Sequence, residues 1–595
     1  MITRAGVFIG VNKTGGLQVL QDAAAGAVRM YEWAVAQGMK PDSHAKLITD
    51  GGGKKVGPDL IFTAINDIIQ LPGVDQLIIY FAGHGVNINR CEYWLLSDAP
   101  VNASAAVNLA GNVELARYCG IKHVVFISDA CRVAPEGLQA QGVRGSDIFP
   151  NLQVVDRSRP VDQFFACMLG RTAAEIKDPV EAAKNYRALY TDIMLNALYG
   201  LQPEVLDPPD AADDLCNYVK PRKLESHLEI AVPRRVRELN LQFKVNQDPD
   251  AIITSNQEWL ARIKGKDVTR GSEPPQKPPG PEAPRSPRIK ADNLRQLAND
   301  LVSTTIHGDA LPDLKAQFLG GEPPMWPESK PLFESVSRIE QPFGPDHFET
   351  QCGIKIRGIR MKSAFAGTAW TQLLGDEVVR VDLGGKKAAN VLLEFENGTG
   401  AVIPAIADYV AAVTFETGEL VDVSYEPSAN SWRWQSYQEK AKRIRQLRAA
   451  AAAASQHGRF RLDGDDAIKV AREMQYNKGI DPTLSIYAAY AYHDLAETKR
   501  IREMSLYLTS DIGITFFDLN LLGRMSPDWR KQADDHFYPF YPLLAQGWAL
   551  LGANRVGLHP MLEGVEKTMK ESLWSLFNPR GVGQLRQAME KAGNL

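Results

Sequence analysis

Short apolar runs alternate with longer amphipathic stretches through the first third of the chain. The runs are rich in β-branched and aromatic residues and end at Gly or a small polar residue, which is typical of strands buried on both faces. The stretches between them carry apolar residues at helical spacing, as in Ala24, Val28, Tyr31 and Val35. Predicted strands cover 5–11, 45–49, 76–85, 122–132 and 161–169, and predicted helices cover 20–37, 58–71, 112–118 and 186–198. This alternation predicts an α/β domain with a mostly parallel sheet and helices on both faces.

The pattern changes after residue 264. Residues 265–290 contain seven prolines among charged residues and no apolar period, so they predict an extended linker. Strand-like alternation follows at 352–360, 377–383, 391–396 and 412–425, with turn signals at Asn397-Gly398 and Thr417-Gly418. From residue 435 the spacing is helical, at 437–455, 465–475 and 482–496. We therefore predict a first domain at 1–264, the linker at 265–290, a small β-rich module at 291–434 and an α-helical domain at 435–595.

Composition narrows the class of protein. With 595 residues, 44% apolar and 23% charged residues and a net charge of −4, the chain fits a folded protein of two or three domains. The N-terminus enters the first strand without a signal-peptide core, and no run of 18 apolar residues occurs. We therefore expect a cytoplasmic protein without a membrane partner. Six scattered cysteines form no CxxC pair, which argues against a zinc site.

The candidate chemistry lies at the ends of two predicted strands. His84 and Cys131 each come just after a buried apolar run, and the carboxyl ends of neighbouring parallel strands open into one crevice. A histidine beside a cysteine favours the thiolate, the form that attacks carbonyl carbons. A single histidine or cysteine in such a place is more often structural, so the pairing carries the argument. We interpret His123, Cys119 and Cys167 as structural residues.

Two motifs resemble the caspase and metacaspase superfamily of cysteine proteases. They are Ala-Gly-His-Gly at 82–85 and Asp-Ala-Cys-Arg at 129–132, and the histidine precedes the cysteine by about 50 residues, as in caspases. Asp129 stands where animal caspases have Gln, as in metacaspases and their bacterial relatives, the orthocaspases. Val133 replaces the small Gly common in the family. The resemblance covers roughly the first 260 residues, in which the order of elements is also caspase-like.

The resemblance implies a function and a set of site residues. It implies a cysteine endopeptidase in which His84 is the base, Cys131 the nucleophile, and the backbone N–H groups of Gly85 and Cys131 the oxyanion hole. In metacaspases an acid at the position of Asp129 lines the S1 pocket with a second one early in the chain, which Asp22 matches. Two carboxylates favour Arg or Lys at P1, although Asp22 could instead cap the first helix. No cofactor is implied, and the residues do not decide whether calcium is required, as it is in many metacaspases.

The stretch between Arg132 and residue 161 suggests regulation. It is long, polar and rich in Gly and Pro, so we expect an exposed loop in which a zymogen is cut after Arg144 or Arg157. The alternative is a surface loop whose cutting has no effect. If the loop is a processing site, we expect an upstream protease or a partner bound to the C-terminal half to switch the enzyme on. A second interpretation of the whole chain is a caspase-like scaffold that works by binding through that half.

Two further signals do not change this interpretation. Residues 51–57 are rich in glycine and lysine but lack the Gly-Lys-Ser/Thr of a phosphate-binding loop. A cluster of basic residues in the helix at 437–455 could contact nucleic acid, but no aromatic residues alternate with it. We interpret the cluster as a solvated helix face and expect no nucleic-acid partner; its members are Lys440, Lys442, Arg443, Arg445 and Arg448.

Overall fold

A computed structural model describes residues 2–88, 91–133, 142–152, 154–155, 157–166, 189–208, 216–238, 249–264, 329–343, 349–456, 464–525 and 537–592. At 131–133 it describes the backbone and not the side chains. The chain divides into two compact units, residues 1–290 and residues 291–595. The predicted linker at 265–290 lies outside the described residues.

Among the described residues of unit 1, eight strands form one sheet. They are β1 (Thr3–Gly10), β2 (Ala45–Thr49), β3 (Val74–Ile88), β4 (Cys91–Leu95), β5 (Ala106–Asn108), β6 (His123–Val133), β7 (Val161–Phe165) and β10 (Asp250–Ile252). Five of them are parallel, in the order β2-β1-β3-β6-β7. Antiparallel β10 extends the sheet beyond β7, and β4 folds back on β3 and pairs with β5. The predicted mostly parallel sheet is confirmed, and the antiparallel strands are additions that the apolar pattern did not predict.

Helices cover this sheet. They are α1 (Ala23–Ala36), α2 (Pro58–Ile69), α3 (Leu109–Ala116), α4 (Leu189–Leu198) and α5 (Pro221–Glu238). Buried residues of α1, α4 and α5 form one cluster with every second residue of the central strands, such as Tyr80 and Ile127. Helix α2 contacts β1 and β2 outside that cluster, and Trp94 stacks on Phe81 with ring centroids 4.7 Å apart. A smaller antiparallel sheet consists of β8 (Leu206–Asp207), β9 (Cys216–Val219) and β11 (Ala261–Lys264).

The boundaries of α1 differ from the prediction for a local reason. The helix begins at Ala23 and not at Leu20, because the N–H of Leu20 donates to the carbonyl of Asn12 at 2.9 Å and closes a loop. The helical period is confirmed, but its phase is wrong by one residue: the stripe of Ala24, Val28, Tyr31 and Val35 is half-buried, and the buried stripe is its neighbour, Ala23, Ala27, Met30 and Ala34. Gly10 of β1 lies against the start of this helix, and a Cβ there would lie 2.6 Å from the carbonyl oxygen of Ala23 and 2.9 Å from the Cβ of Ala27. The missing side chain lets that stripe approach β1 closely.

In the described part of unit 2, the strands form two five-stranded sheets and one short pair. The first sheet has the order β14 (Trp370–Leu373), β15 (Val378–Asp382), β12 (Gly353–Arg357), β18 (Tyr409–Glu416), β19 (Glu419–Pro427). The second has the order β13 (Met361–Phe365), β16 (Ala388–Phe395), β17 (Gly400–Ile406), β23 (Leu576–Phe577), β22 (Met569–Lys570). The pair is β20 (Thr515–Phe516) with β21 (Phe537–Tyr538). Both predicted turns join hairpins, and Thr417, Gly418 and Gly398 have the positive φ angles that such turns require.

Most of the described helices of unit 2 come after residue 430. They are α6 (Ser329–Glu340), α7 (Trp434–Gln456), α8 (Gly464–Asn477), α9 (Leu484–Asp494), α10 (Thr498–Ile512), α11 (Phe517–Leu522) and α12 (Pro579–Ala592). Because β23 pairs with β17, the segments predicted as a β-rich module and an α-helical domain share a sheet within one unit. Among the helices described here, none combines the length and apolar character needed to cross a bilayer.

The basic cluster on α7 is not a uniformly solvated face. Lys440 and Lys442 are exposed, and Arg443 forms a two-bond ion pair with Glu473 at 2.6 and 2.7 Å. Arg448 is buried, where its guanidinium lies 3.4 Å from Asp422 and 3.5 Å from Asp481. The prediction of a solvated face is therefore wrong for Arg448. A buried arginine requires counter-charges nearby, and these come from β19 and the segment just before α9, which a pattern within one helix does not reveal.

Candidate active site

Three strand ends meet at the carboxyl edge of the unit 1 sheet. The chain leaves β1 toward β2 on one side and continues with β3 on the other, so the strand order reverses between β1 and β3. Ligands of open α/β sheets bind at such a reversal, outside the carboxyl ends of the strands. His84 lies near the carboxyl end of β3, and Cys131 lies near the carboxyl end of β6, which pairs with β3 on the side away from β1.

His84 and Cys131 are register partners on adjacent parallel strands. Neighbouring strands lie about 4.8 Å apart, so the two backbones are one strand spacing from each other. Along the same pairing Tyr80 lies opposite Ile127 in the buried cluster, and positions 84 and 131 follow them by an even number of residues. By strand alternation the two positions therefore fall on the same face of the sheet. The thiol of Cys131 is outside what the structure describes.

His84 is held in a defined state by the loop that follows β1. Its Nε2 lies 2.7 Å from the carbonyl oxygen of Gln18, and because a carbonyl only accepts, Nε2 must carry the proton. Burial lowers the pKa of His84 below 6.5, with the Gln18 bond partly opposing the shift. The neutral ring then has its lone pair on Nδ1, which is buried and has no hydrogen-bond partner among the described residues. His84 can therefore act as a base through Nδ1.

Asp129 lies at the end of a chain of hydroxyl groups. The hydroxyl of Thr191 on α4 donates to Asp129 Oδ2. Because that hydroxyl has one proton, the Tyr80 hydroxyl must be the donor in its 2.5 Å contact with Thr191. Hydrogen bonds donated to a buried carboxylate favour its charged form. Asp129 and His84 are both only 1% exposed, so in this state solvent scarcely reaches either of them.

Asp22 lies immediately before α1 and does not cap it. Its side chain makes no hydrogen bond to the N–H groups of the first turn. Asp192 on α4 is close enough for its pKa to be affected: burial raises it, the nearby Arg29 guanidinium opposes the shift, and the negative charge of Asp22 adds to it. Arg29 and Asp192 form an ion pair at 3.1 Å. Asp22 therefore lies beside the helix whose Thr191 holds Asp129.

Gly85 has strand neighbours on both sides. It is the register partner of Arg132 in β6 and of Trp94 in β4. A Cβ at this position would lie 2.9 Å from the Cβ of Ala130, so packing between the strands already requires glycine. The glycine is therefore explained by strand packing alone, without the close approach of a substrate. The oxyanion-hole role of Gly85 and Cys131 stays a prediction.

Both candidate processing residues are exposed. The backbone beside Arg144 is tied down, because its N–H donates to Ala103 at 3.0 Å and the N–H of Ser146 donates to Ala106 at 2.6 Å. Residues 153 and 156, near Arg157, lie outside the described residues, as do 134–141. A protease that bound Arg144 in extended form would first have to break the bonds to 103–106.

No protein-family model matches the chain, and no curated protein matches it. The geometry of the site and the sequence motifs therefore carry the functional argument.

Most of the groups that support His84 and Asp129 leave no recognisable signal in the sequence. The orienting group of His84 is a backbone carbonyl, which no residue type reveals. Thr191 and Asp192 lie on a helix about 60 residues after Asp129, and only the fold brings them together. Tyr80 could have been predicted from the sequence, since its position four residues before His84 places both on one face of β3.

Proposed function

We propose that unit 1 is a cysteine endopeptidase that cuts protein substrates after Arg or Lys. The main support is the register pairing of positions 84 and 131 at the carboxyl edge of the sheet, with a neutral His84 whose Nδ1 lacks a partner among the described residues. A cysteine nucleophile needs a base beside it and that base must be unprotonated, and both conditions favour this pair.

The proposed reaction uses Nδ1 of His84 in both halves. Nδ1 takes the thiol proton of Cys131, and the thiolate forms a bond to the scissile carbonyl carbon. The carbon–nitrogen bond then breaks, and the departing amine takes the proton from His84. Water next gives a proton to Nδ1 and attacks the thioester, which releases the new carboxyl end and restores the thiol. The N–H groups of Gly85 and Cys131 are the proposed donors to the intermediate oxyanion.

Asp129 and Asp22 are the proposed S1 carboxylates. The hydroxyl chain to Asp129 favours its charged form, and the side chain of Asp22 is not used as a helix cap. A substrate Arg or Lys would pair with these charges. A P1 Asp would add repulsion and desolvation that cost roughly several kcal/mol.

The chain is proposed to be made as a restrained zymogen. The 1% exposure of His84 and of Asp129 supports this, since a substrate must reach both. A cut after Arg144 or Arg157 would let the residues that cover His84 and Asp129 move. The enzyme itself or an upstream protease could make this cut, and a partner bound to the C-terminal half could promote it. Intact-mass analysis of wild type and Cys131→Ala tests it. Active enzyme that stays uncut, or an Arg144→Ala/Arg157→Ala variant that is cut and activated like wild type, contradicts the proposal.

Peptide cleavage tests the function itself. Fluorogenic peptides that differ only in P1 Arg, Lys or Asp are offered to the intact chain and to the chain nicked by limited trypsin treatment. We expect cleavage of the Arg and Lys peptides, none of the Asp peptide, and none by Cys131→Ala. Preference for Asp contradicts the S1 assignment. If neither form cleaves any peptide, the protease function is contradicted and the scaffold interpretation is left.

A further inference from the structure

The loop between β1 and α1, residues 11–22, supplies the carbonyl that orients His84, and backbone hydrogen bonds tie the loop to three other segments. The N–H of Val11 donates to Ala82 of β3 at 2.9 Å, and the N–H of Gly15 donates to Ser97 at 2.8 Å. The N–H of Lys13 donates to Asp50 at 2.6 Å. The loop is therefore tied to β3, to the residue after β2 and to the segment after β4 before it reaches Gln18.

Gly15 is the tightest contact of this loop. Its φ is +46°, a conformation that L side chains rarely adopt, and a Cβ there would lie 2.2 Å from the carbonyl oxygen of Ala99. Gly16, the next residue, has open space where its Cβ would be and no positive φ. The two neighbouring glycines therefore form a matched pair. An added methyl group moves the loop at position 15 and is accommodated at position 16.

Asn12 closes the loop from its other side. Its carbonyl accepts from Leu20, and its side-chain Oδ1 accepts from the N–H of Ala24 at 3.0 Å. The second bond caps the first turn of α1, the task that the adjacent Asp22 side chain does not perform. One side chain thus fixes the end of the Gln18 segment and leaves the Asp22 carboxylate available.

We infer that Asn12 and Gly15 are positioning residues of the active site, which hold the Gln18 carbonyl against Nε2 of His84 and so keep the lone pair on Nδ1. This inference rests on the proposed function. If the loop moves, the carbonyl no longer selects one tautomer. A share of the molecules then carries the proton on Nδ1 and cannot accept the thiol proton there.

The tautomer of His84 can be observed without any cleavage. Full-length Cys131→Ala protein labelled with 15N-histidine gives ring-nitrogen signals, and His84→Gln identifies those of His84. We expect a single Nε2–H form in this background and in the added Gly16→Ala control. Added Gly15→Ala or Asn12→Ala should give a mixture of both forms. Asn12→Asp, which keeps the acceptor Oδ1, should restore the single form.

Kinetics with intact Cys131 complete the test. Gly15→Ala and Asn12→Ala should each lower kcat by about 10- to 100-fold, since small misplacements of a catalytic group cost that much. Gly16→Ala should stay near wild type. If the wild type cleaves no peptide, either intact or after trypsin nicking, the proposed function fails, and the inference fails with it. If the wild type cleaves, and both variants keep the Nε2–H form and the wild-type kcat, the inference alone is wrong. Asn12→Ala guards against a Gly15→Ala chain that does not fold.

Discussion

Two histidines occupy opposite ends of the same pair of strands, and their surroundings differ. His123, at the amino end of β6, uses both ring nitrogens: Nδ1 accepts from Gln76 at 2.9 Å, and Nε2 contacts Asp162 at 2.8 Å. His84, at the carboxyl end of β3, uses Nε2 on the Gln18 carbonyl, while Nδ1 has no partner among the described residues. Both rings are buried. Among the described residues, the ring at the amino end therefore makes two hydrogen bonds and the ring at the carboxyl end makes one.

The largest difference between the two ends is expected in peptide cleavage after each histidine is replaced by glutamine. In His84→Gln the side-chain amide can still donate to Gln18, but it is not a base, so we expect kcat/KM for a P1 Arg peptide to fall by about 100- to 10,000-fold. His123→Gln can still donate to Asp162, and we expect kcat/KM within a few-fold of wild type. Peptide kinetics on both variants provide the measurement. Equal losses in the two variants would remove the distinction between the ends.

The amino end should instead dominate stability. Asp162 accepts from the N–H groups of Thr254 and Ser255, from the Ser255 hydroxyl and from His123. Asp162→Ala leaves these buried donors without an acceptor, so we expect a loss of about 3 kcal/mol in the free energy of unfolding. Asp192→Ala, which breaks the half-exposed pair with Arg29, is the matched control and should cost at most about 1 kcal/mol. Urea denaturation of both variants measures this, and similar losses would contradict it.

The hydroxyl chain at the carboxyl end should affect specificity. Thr191→Val removes the donor to Asp129, which disfavours the charged carboxylate. We expect the preference for P1 Arg over P1 Leu, measured as a ratio of kcat/KM values, to fall by about 10-fold. Thr191→Ser keeps the hydroxyl and should keep the ratio. If Thr191→Val behaves as Thr191→Ser does, Asp129 does not set P1 preference through this bond.

The smallest expected effect is a shift in the titration of His84. Burial disfavours the imidazolium, so the pKa of His84 lies below its usual 6.5. The ring should therefore stay neutral at a pH where an exposed histidine is half protonated. NMR titration of the Cys131→Ala protein measures this without a thiolate nearby. A pKa at or above 6.5 would show that His84 is more exposed to water than described.

The sequence predicted the frame of unit 1 because that frame depends on local pattern. Apolar runs bounded by small residues predicted the parallel strands. The two motifs lie at the ends of neighbouring strands, where His84 and Cys131 are register partners. The buried stripe of α1 was not predicted because it is set by contacts with other elements, such as the close approach to Gly10 of β1. The antiparallel strands β4, β5 and β10 were missed because short strands carry little periodic signal.

The groups that support the site could not be predicted from the sequence, for a different reason. The Gln18 carbonyl belongs to the backbone, and its position depends on a loop tied to Ala82, Ser97 and Asp50. Thr191 reaches Asp129 only because α4 packs on the same face of the sheet. Arg448 was assigned to a solvated face because its counter-charges, Asp422 and Asp481, come from distant parts of the chain. Local pattern predicts elements, whereas contacts between elements decide what each polar group does.

Covalent labelling tests the central claim most directly. A peptide probe with Arg at P1 and a thiol-reactive group at the scissile position is added to the intact and the trypsin-nicked chain, and the adduct is located by mass spectrometry. We expect one adduct on Cys131, strongly reduced in His84→Gln. Cys119 should stay unlabelled, because burial raises the pKa of its thiol to about 11. Labelling of Cys119 in place of Cys131, or no adduct on Cys131 in either form of the chain, would contradict the account.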